Sequence, residues 1–460
     1  MIRSGLILLY YYIRTLAISR WTDRKKLERW QEKKIMRLLN YVSRKSPYYK
    51  KLIDRICPGQ WRELPVIDKR VMMEHFSELN TAGIDRQEAF EVAMEAERSR
   101  DFSPTLKGIT VGLSSGTSGH RGLFLVSRKE QAAWAGTVLA KVLPEPLWRP
   151  QRVAFFLRSN SNLYSSVRHG RMKFRFFDLL EPVASHIQEL NHYSPTLLVG
   201  PPSLLRMLAE AAMRGSLTIR PKKIVSVAEV LDPLDEKIIS QGFAKPVHQV
   251  YQCTEGFLAA TCEHGTLHLN EDIVYFEKEY LDREKGKFVP ILTDFSRFSQ
   301  PLIRYRLNDI LTEKKEPCPC GSVFTALEQI EGRCDDLFYL RAESPAESDG
   351  LIVVFPDYIR RVVLACPGIE HYAVIQHQVE LWEIQLALEN TGDSAEEDRS
   401  DSPPRSAVES QIRAEIAQLC QQLGGLMPTL QFTEWSLENE QATLSAPPVK
   451  RKRVERRFPL

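Results

Sequence analysis

Through the middle of the chain, apolar runs of strand length alternate with segments of helical periodicity. PSLLRMLAEAAMR (Pro202–Arg214) repeats its apolar residues at the spacing of one helix face. The runs with the length of a buried strand are ITVGL (Ile109–Leu113), RVAFFL (Arg152–Leu157), TLLVG (Thr196–Gly200) and KIVSVA (Lys223–Ala228). This alternation predicts an α/β fold in which helices cover a parallel sheet.

The pattern differs on both sides of this region. Residues 21–79 have helical periodicity. Between Leu267 and Leu311 the strands become shorter and more polar, which predicts an antiparallel or barrel-like part. After Asp336 a strand–helix–strand unit, followed by the helical segment Gln411–Leu423, predicts a small α+β domain.

The apolar run GLILLYYYI (Gly5–Ile13) has three interpretations. It is too short for a membrane span, and no small-residue cleavage site follows it. Its rhythm continues into the next helical segment, which favours amphipathic helices packed on the body. Peripheral membrane contact and a cleaved signal peptide are the alternatives.

Composition excludes some classes of function. With 43% hydrophobic and 26% charged residues, the 460-residue chain has the profile of a soluble protein of two or three domains. Its 62 basic and 59 acidic residues leave a net charge of only +3, which gives no reason to expect a nucleic acid partner. Eight cysteines are too few for a disulfide scaffold in a chain of this length, so we expect a reducing, cytoplasmic location.

The stretch GLSSGTSGHRG (Gly112–Gly122) begins with the G-x-S-x-G pattern of a hydrolase nucleophile. That motif requires a helix directly after the serine, whereas LFLVS (Leu123–Ser127) predicts a second strand. The stretch is neither a Walker loop nor G-x-G-x-x-G. It is better explained as a strand–loop–strand whose backbone N–H and hydroxyl groups can surround a polyphosphate. A flexible surface hairpin is the alternative.

Four motifs together resemble the adenylate-forming superfamily of acyl- and aryl-CoA ligases. The branch is that of phenylacetate-CoA ligase and of enzymes that adenylate a deazaflavin coenzyme. In chain order the motifs are SSGTSGHRG (Ser114–Gly122), VYQCTEG (Val250–Gly256), PLIRYRLND (Pro301–Asp309) and IEGRCDD (Ile330–Asp336). Their order and spacing are more specific than any one motif, and the resemblance extends from about Trp30 to the end of the chain.

The resemblance implies a large, multi-subdomain N-terminal domain and a small, mobile α+β C-terminal domain. The large domain would comprise residues 1–333, with a helical part at 1–80 and the barrel-like part at 267–311. Residues 334–336 would form the hinge, and residues 337–460 the small domain.

The implied reaction is attack of a carboxylate, aromatic or otherwise apolar, on the α-phosphate of ATP. It forms an acyl-adenylate and pyrophosphate, and the acyl group then passes to CoA. An amine, a carrier protein and a phenolic hydroxyl are alternative acceptors. Two other functions stay open: transfer of AMP to the phenol of a deazaflavin-type coenzyme, and a degenerate nucleotide-binding protein.

The resemblance also assigns residues to the nucleotide. Thr254 would donate to the α-phosphate, Glu255 would hold Mg²⁺, and Asp309 would accept hydrogen bonds from the ribose hydroxyls. Arg333 would reach the ribose or a phosphate, and Asp335 would be the pivot of the hinge. The remaining residues would bind phosphates (Ser114, Ser115, Gly116, Thr117, Ser118, Gly119) or lie beside the adenine (Ala228, Glu229, Tyr251).

Two positions depart from the family pattern. Many relatives have Gly-x-Pro-Lys in the loop, whereas this chain has Gly-His-Arg-Gly, so Arg121 would supply the missing cation. In the basic segment VKRKRVERR, Lys450 with an arginine three residues later fits the catalytic lysine, but Val449 replaces the family's glycine. A solvated basic tail is the alternative for this segment.

Cysteine and histidine residues form one more candidate site. Cys318 and Cys320 lie in a CPCG turn similar to one in relatives of phenylacetate-CoA ligase, and Cys262 lies upstream with His264 and His268. Thiolates and one imidazole make a tetrahedral zinc site. Free thiols in an ordinary turn are the alternative.

Overall fold

The structure is a computed structural model. It describes residues 2–18, 21–57, 59–99, 101, 103–114, 121–157, 171–179, 181–344, 350–388, 403–435 and 452–459. The helices in this part of the chain are α1 (Ile2–Ile18), α2 (Arg24–Lys45), α3 (Pro47–Ile53), α4 (Lys69–Glu74), α5 (Phe76–Leu79), α6 (Arg86–Ser99), α7 (Arg128–Val142), α8 (Val183–Tyr193), α9 (Pro202–Met213), α10 (Pro233–Phe243), α11 (Pro356–Leu364) and α12 (Arg405–Leu423).

The strands fall into four sheets within the described residues. They are β1 (Thr105–Leu106), β2 (Ile109–Leu113), β3 (Leu123–Ser127), β4 (Gln151–Leu157), β5 (Met172–Asp178), β6 (Leu197–Gly200), β7 (Lys223–Ser226), β8 (Val247–Cys253), β9 (Gly256–Thr261), β10 (Leu267–Leu269), β11 (Val274–Asp282), β12 (Lys287–Asp294), β13 (Leu302–Arg306), β14 (Asp309–Glu313), β15 (Ala326–Arg333), β16 (Phe338–Arg341), β17 (Leu351–Val354), β18 (Ile369–Gln378), β19 (Leu381–Leu388), β20 (Thr429–Glu434) and β21 (Val454–Arg456).

A twelve-stranded sheet forms the centre of the larger part of the molecule. One half is parallel, in the order β5-β4-β6-β7-β8. The other edge of β8 pairs antiparallel with β9, and the sheet continues through β10, β15, β14, β12 and β11, with β13 beside β12. The parallel prediction is confirmed for Arg152–Leu157, Thr196–Gly200 and Lys223–Ala228, but it is wrong for Ile109–Leu113, which forms β2 of a separate antiparallel sheet with β1 and β3. The antiparallel prediction for residues 267–311 is confirmed. Strand direction therefore changes at β8.

Helices cover both faces of the parallel half because successive strand residues point to opposite sides. On one face Ala154 and Phe156 of β4 pack in a core with residues of α8, α9 and α10. On the other face Val153 packs with Leu139 of α7 and Leu8 of α1. Residues 21–79 form α2 to α5, as the helical periodicity predicted.

The α1 helix packs directly on α7, which confirms the favoured interpretation of the N-terminal apolar run. Leu8 and Tyr12 are buried in the shared core. Gly136 of α7 allows the close approach, since a Cβ atom at this position would lie 2.3 Å from the carbonyl oxygen of Leu8. None of the helices described here is long and apolar enough to cross a membrane.

The described residues between Phe338 and Val454 build a core of their own. A β16–β17 hairpin, α11 and α12 accompany a four-stranded sheet in the order β20-β19-β18-β21. The helix predicted at Gln411–Leu423 is confirmed and begins earlier, at Arg405. The domain boundaries at residues 333 and 337 stay a prediction.

Buried charges join this C-terminal core to the rest of the molecule. The Asp235 carboxylate of α10 lies 2.6 Å from Arg453 and 3.0 Å from Arg206. Next to it, the Tyr372 hydroxyl of β18 donates to Asp232 at 2.7 Å. Arg453 is only 7% exposed, so a solvated basic tail does not describe this end of the chain.

We predict that Gly136→Ala lowers the free energy of unfolding by about 1 to 3 kcal/mol, because the added methyl group overlaps the α1 backbone. Alanine favours a helix interior by about 1 kcal/mol over glycine, so a relaxed interface would give the opposite sign. Denaturant unfolding of both proteins measures the change. An increase in stability would show that α1 does not pack this closely on α7.

Candidate active site

A cavity of about 1790 Å³ lies at the end of β8, where strand direction changes. Pockets for a single small ligand usually measure roughly 300 to 1,000 Å³, so this cavity has room for two reactants. It is lined by all the predicted nucleotide-site residues that the structure describes, namely Ser114, Arg121, Ala228, Glu229, Tyr251, Thr254, Glu255, Asp309 and Arg333.

Thr254 and Glu255 form the tight turn between β8 and β9. The Glu255 carboxylate accepts hydrogen bonds from the Thr254 hydroxyl at 2.8 Å and from the Tyr305 hydroxyl at 3.1 Å. Burial and the neighbouring Glu255 charge raise the pKa of Tyr305, so its hydroxyl stays a donor. The guanidinium of Arg297 fixes the turn by donating to the Thr254 carbonyl oxygen at 2.6 Å.

Sequence reasoning missed Tyr305 and Arg297. Both are buried, and both reach the turn from parts of the chain more than forty residues away. Tyr305 lies within the third motif, where its alternation with Arg304 and Arg306 placed it on the opposite strand face. Arg297 lies outside all four motifs and had no local signal.

Asp309 lies where β14 begins, opposite Arg333 of β15. Its carboxylate accepts a hydrogen bond of 2.5 Å from the Tyr251 hydroxyl, and the Arg333 Nε lies 3.9 Å from its other oxygen. Burial and the Asp309 charge raise the pKa of Tyr251 well above its usual range. Tyr251 therefore remains a hydrogen-bond donor and orients the carboxylate in the cavity.

The glycine-rich loop connects two antiparallel strands, β2 and β3, which pair from Ile109–Ser127 to Leu113–Leu123. Ser114 closes the hairpin: its N–H donates to the Gly122 carbonyl, and its hydroxyl accepts from the Gly122 N–H, both at 2.7 Å. A strand follows the loop, as predicted, so the hydrolase arrangement is excluded. Ser115, Gly116, Thr117, Ser118 and Gly119 lie outside the described residues.

Lys69 is a cation at this loop that sequence reasoning missed. It is the first residue of α4, after the N-cap Asp68, and its Nζ lies 3.4 Å from the Ser114 hydroxyl. Burial lowers the pKa of Lys69, Arg333 lowers it further, and Glu255 opposes both. A lysine after an N-cap is common in helices, so no sequence signal distinguished it. The predicted cation Arg121 instead lies 2.7 Å from Glu97 of α6.

The segment after β7 brings Ala228 and Glu229 to the cavity. Ala228 has a φ of +69°, a left-handed conformation that costs about 1 kcal/mol or more for a residue with a side chain. Glu229 accepts a weak hydrogen bond of 3.4 Å from the Ser203 N–H at the start of α9. The strained backbone is thus held at the cavity wall, beside the predicted adenine position.

The predicted hinge meets the C-terminal segment at the same cavity. Asn308 donates to Asp335 at 2.6 Å, and Lys452 lies 3.0 Å from Asp336. Lys452 also lines the cavity. Lys450, the predicted catalytic lysine, lies outside the described residues, two positions before Lys452.

Part of the cavity lining is apolar. Trp134 and Val138 of α7 belong to this part and pack with strand residues of the parallel half. The strand residues are Val153, Phe155, Phe174, Val199, Val225 and Val250. One cavity therefore combines a polar part, suited to a nucleotide, with an apolar part suited to a hydrophobic group.

A second candidate site lies outside the cavity. Cys262, His268, Cys318 and Cys320 place their ligand atoms within 4.8 Å of one another. The sulfur atoms of Cys262 and Cys318 are 3.7 Å apart, close to the edge of about 3.8 Å that tetrahedral Zn–S bonds of about 2.3 Å produce.

The hydrogen-bond contacts of His268 in this cluster also fit a metal. His268 Nδ1 lies 3.1 Å from the Phe324 carbonyl oxygen, and Nε2 lies 3.4 Å from the Cys320 sulfur. Donation from Nδ1–H to the carbonyl leaves the Nε2 lone pair free to bind a metal. Burial opposes ionisation of Cys318, but hydrogen bonds from Thr266, the Cys320 backbone and His268 lower the pKa of its thiol to about 6. The structure thus selects His268 over His264, which is exposed.

Comparison with known proteins supports the motif resemblance. No protein-family model matches the chain. It is 22% identical over 397 residues to phenylacetate-coenzyme A ligase of Thermus thermophilus, which covers 80% of this chain and 82% of the relative. Indoleacetate–lysine synthetase of Pseudomonas savastanoi is 30% identical over 142 residues, 29% of this chain and 34% of that protein.

A solved structure extends the likeness to the fold. The crystal structure of 2-hydroxyisobutyryl-CoA ligase in the postadenylation state, in complex with 2-HIB-AMP, matches with a TM-score of 0.65 at 17% identity. The match covers 93% of this chain and 89% of that chain. The predicted α/β fold is thereby confirmed. Together with the two relatives above, the match also confirms the predicted resemblance to adenylate-forming ligases and the ligase class.

We predict that Lys69→Gln weakens the binding of ATP by roughly 10- to 100-fold, because a hydrogen bond to a charged group contributes about 1.5 to 3 kcal/mol. Isothermal titration calorimetry measures the affinity. Lys51→Gln, which removes an exposed lysine from α3, is the matched control and should bind ATP normally. Equal affinities for both variants would exclude Lys69 from the phosphate site.

Proposed function

Since the chain has the fold of the adenylate-forming ligases and resembles them in sequence, we propose that it activates a carboxylic acid with ATP. The acid attacks the α-phosphate, forming an acyl-adenylate and releasing pyrophosphate. One observation carries this proposal: Thr254, Glu255, Asp309 and Arg333, which come from three separate motifs, meet at the polar part of a single cavity.

In this proposal the protein acts by positioning the reactants and neutralising charge. Asp309, oriented by Tyr251, accepts the ribose hydroxyls, and the adenine lies beside Tyr251 and the strained turn at Ala228 and Glu229. Lys69 and Arg333 pair with phosphate oxygens. Ser114 and the loop residues Ser115 to Gly119 hold the β and γ phosphates, as the resemblance implies.

Glu255 is the proposed Mg²⁺ residue. Its carboxylate is fixed by two hydroxyl donors and lines the cavity, which suits a hard cation that prefers oxygen ligands. When bound, Mg²⁺ neutralises charge on the phosphate oxygens. Thr254, adjacent to Glu255, is assigned to the α-phosphate.

Lys450 is the proposed catalytic lysine, which binds the reacting carboxylate and phosphate groups. Asp335 is the proposed pivot for a rotation of the small domain between adenylation and transfer. The contact between Lys452 and Asp336 supports this proposal, because Lys452 follows Lys450 by only two positions in the sequence and lies at the hinge.

The apolar part of the cavity supports an acid with a hydrophobic body, and we propose an aromatic acid.

CoA is the proposed acceptor, since the relative with the longer of the two alignments is a CoA ligase. An amine is the second candidate acceptor, because a shorter alignment matches indoleacetate–lysine synthetase, whose name joins an acid to an amino acid. Transfer of AMP to a deazaflavin-type phenol would require no carboxylic acid, and a degenerate protein would bind ATP without releasing pyrophosphate.

We predict acid-dependent exchange of labelled pyrophosphate into ATP, measured with a panel of aromatic and aliphatic acids. Glu255→Gln should lower the exchange rate by roughly 100-fold or more, because the amide would not hold the Mg²⁺ that neutralises charge on the phosphate oxygens in the transition state. Lys450→Ala should lower it as well. Glu63→Gln, on the exposed surface, is the control.

Two results would contradict the proposal. Exchange that requires a phenolic acceptor and no carboxylic acid would favour AMP transfer to that phenol. Bound ATP with no exchange for any acid would favour the degenerate protein. Normal exchange by Lys450→Ala would remove that residue's assignment alone.

We also propose that Cys262, His268, Cys318 and Cys320 hold a structural zinc ion. Its support is the closeness of the four ligand atoms, which lie within 4.8 Å of one another, and the hydrogen bond that orients His268. All eight cysteines lack a disulfide partner. That finding supports the proposed cytoplasmic location.

We predict about one zinc ion per chain by elemental analysis of the purified protein. Cys318→Ser/Cys320→Ser should lose the metal and melt at a lower temperature. Cys57→Ser, which changes an exposed cysteine, should keep both. A wild-type protein that contains no zinc, and does not gain thermal stability when zinc is added, would contradict a metal site here.

A further inference from the structure

The outer face of α1 is the largest exposed apolar feature of the described residues. Of fourteen exposed large apolar side chains, five lie on this one helix: Leu6, Leu9, Tyr10, Ile13 and Leu16. Their spacing follows the helical repeat, so they share the face opposite the buried Leu8 and Tyr12. Leu6 is 63% exposed and Ile13 is 57% exposed. Monomeric soluble proteins rarely expose a contiguous apolar patch without a binding role.

An exposed tryptophan follows a residue that contacts α1. The backbone N–H of Leu147 donates to the Tyr12 hydroxyl at 3.0 Å, which holds the segment before β4 against α1. The next residue, Trp148, is 65% exposed. An exposed tryptophan beside an apolar helix face is typical of proteins that contact the interface of a bilayer.

Positive charge lines one side of the same face. α1 contains no acidic residue. Arg14 lies over the ring of Trp30 on α2 at 5.0 Å, and Lys34 lies over the same ring at 4.2 Å. Burial, together with the charges of Arg14, Arg37 and Lys33, lowers the pKa of Lys34 to about 8.

These four cations form a basic cluster: Arg14, Lys33, Lys34 and Arg37. Among the residues that the structure describes, none of the four forms a salt bridge with a carboxylate, so the cluster carries uncompensated positive charge. A partner that fits both features is apolar where it meets α1 and anionic where it meets the cluster.

We propose that α1, Trp148 and the basic cluster dock on the surface of an anionic phospholipid bilayer. The apolar side chains enter the boundary between headgroups and acyl chains, and the cations pair with lipid phosphates. The helix lies in the plane of the interface, since it does not qualify as a span. Tyr11 of the same helix lines the cavity, so docking brings that wall of the cavity towards the bilayer.

Charge favours lipid over a second copy of the chain as the occupant. A two-fold interface brings the same patch of each copy together. Here it would place two basic clusters close to each other, at a cost in repulsion. Anionic headgroups instead neutralise the cluster.

Cosedimentation of the full chain with phospholipid vesicles tests the docking. We expect binding to vesicles of phosphatidylcholine with phosphatidylglycerol, weaker binding at high salt, and little binding to phosphatidylcholine alone. Lys33→Gln/Arg37→Gln should weaken binding roughly 30-fold, because each cation near an anionic surface contributes about fivefold. Leu9→Asp/Ile13→Asp should abolish it.

The control is Met213→Asp/Leu426→Asp, which changes two similarly exposed apolar residues elsewhere and should bind normally. Melting temperatures confirm that each variant folds. The proposal is overturned if the wild type does not bind anionic vesicles, if it binds neutral vesicles equally well, or if Leu9→Asp/Ile13→Asp still binds. It is also overturned if that variant converts a dimer into a monomer in light scattering while the wild type ignores lipid.

Discussion

Strand direction changes at β8, and this change determines where the residues of the candidate active site lie. One edge of β8 pairs with the parallel strand β7, and the other pairs with the antiparallel strand β9. A parallel neighbour brings carboxyl ends and helix-covered loops to the same edge of the sheet, whereas an antiparallel neighbour returns at once through a tight turn. The Thr254–Glu255 turn therefore lies at the carboxyl edge, within reach of β14 and β15, which carry Asp309 and Arg333.

Buried ion pairs hold the C-terminal core against this edge. Arg453 pairs with Asp235, and on another side Lys287 of β12 lies 2.9 Å from Asp357 of α11. Removing one partner of such a pair costs about 3 to 5 kcal/mol, since the other charge stays buried. Each pair requires its two charged groups to meet, so it restricts how the C-terminal core can pack on the larger part of the molecule. These pairs also place Lys452, Arg453 and Val454 at the cavity.

Much of the fold followed from the sequence because the strands are continuous apolar runs and the helices have a clear period. The glycine-rich loop could be placed between two strands because the apolar run Leu123–Ser127 predicts a strand without help from other parts of the chain. The order of the motifs predicted that Tyr251, Glu255 and Asp309 belong to one site. The remaining features depend on long-range packing. Neither Lys69 at the loop nor the burial of Arg453 has a local signal, since both follow from contacts with parts of the chain distant in sequence.

In the proposed reaction, a carboxylate oxygen attacks the α-phosphate of ATP. A single turnover with ATP, an acceptor and an acid labelled with ¹⁸O in its carboxylate tests it most directly, with the AMP analysed by mass spectrometry. Attack by the acid predicts that AMP gains one labelled oxygen, because the acyl–oxygen bond breaks when the acyl group is transferred. Unlabelled AMP, or ADP in place of AMP, would contradict the account.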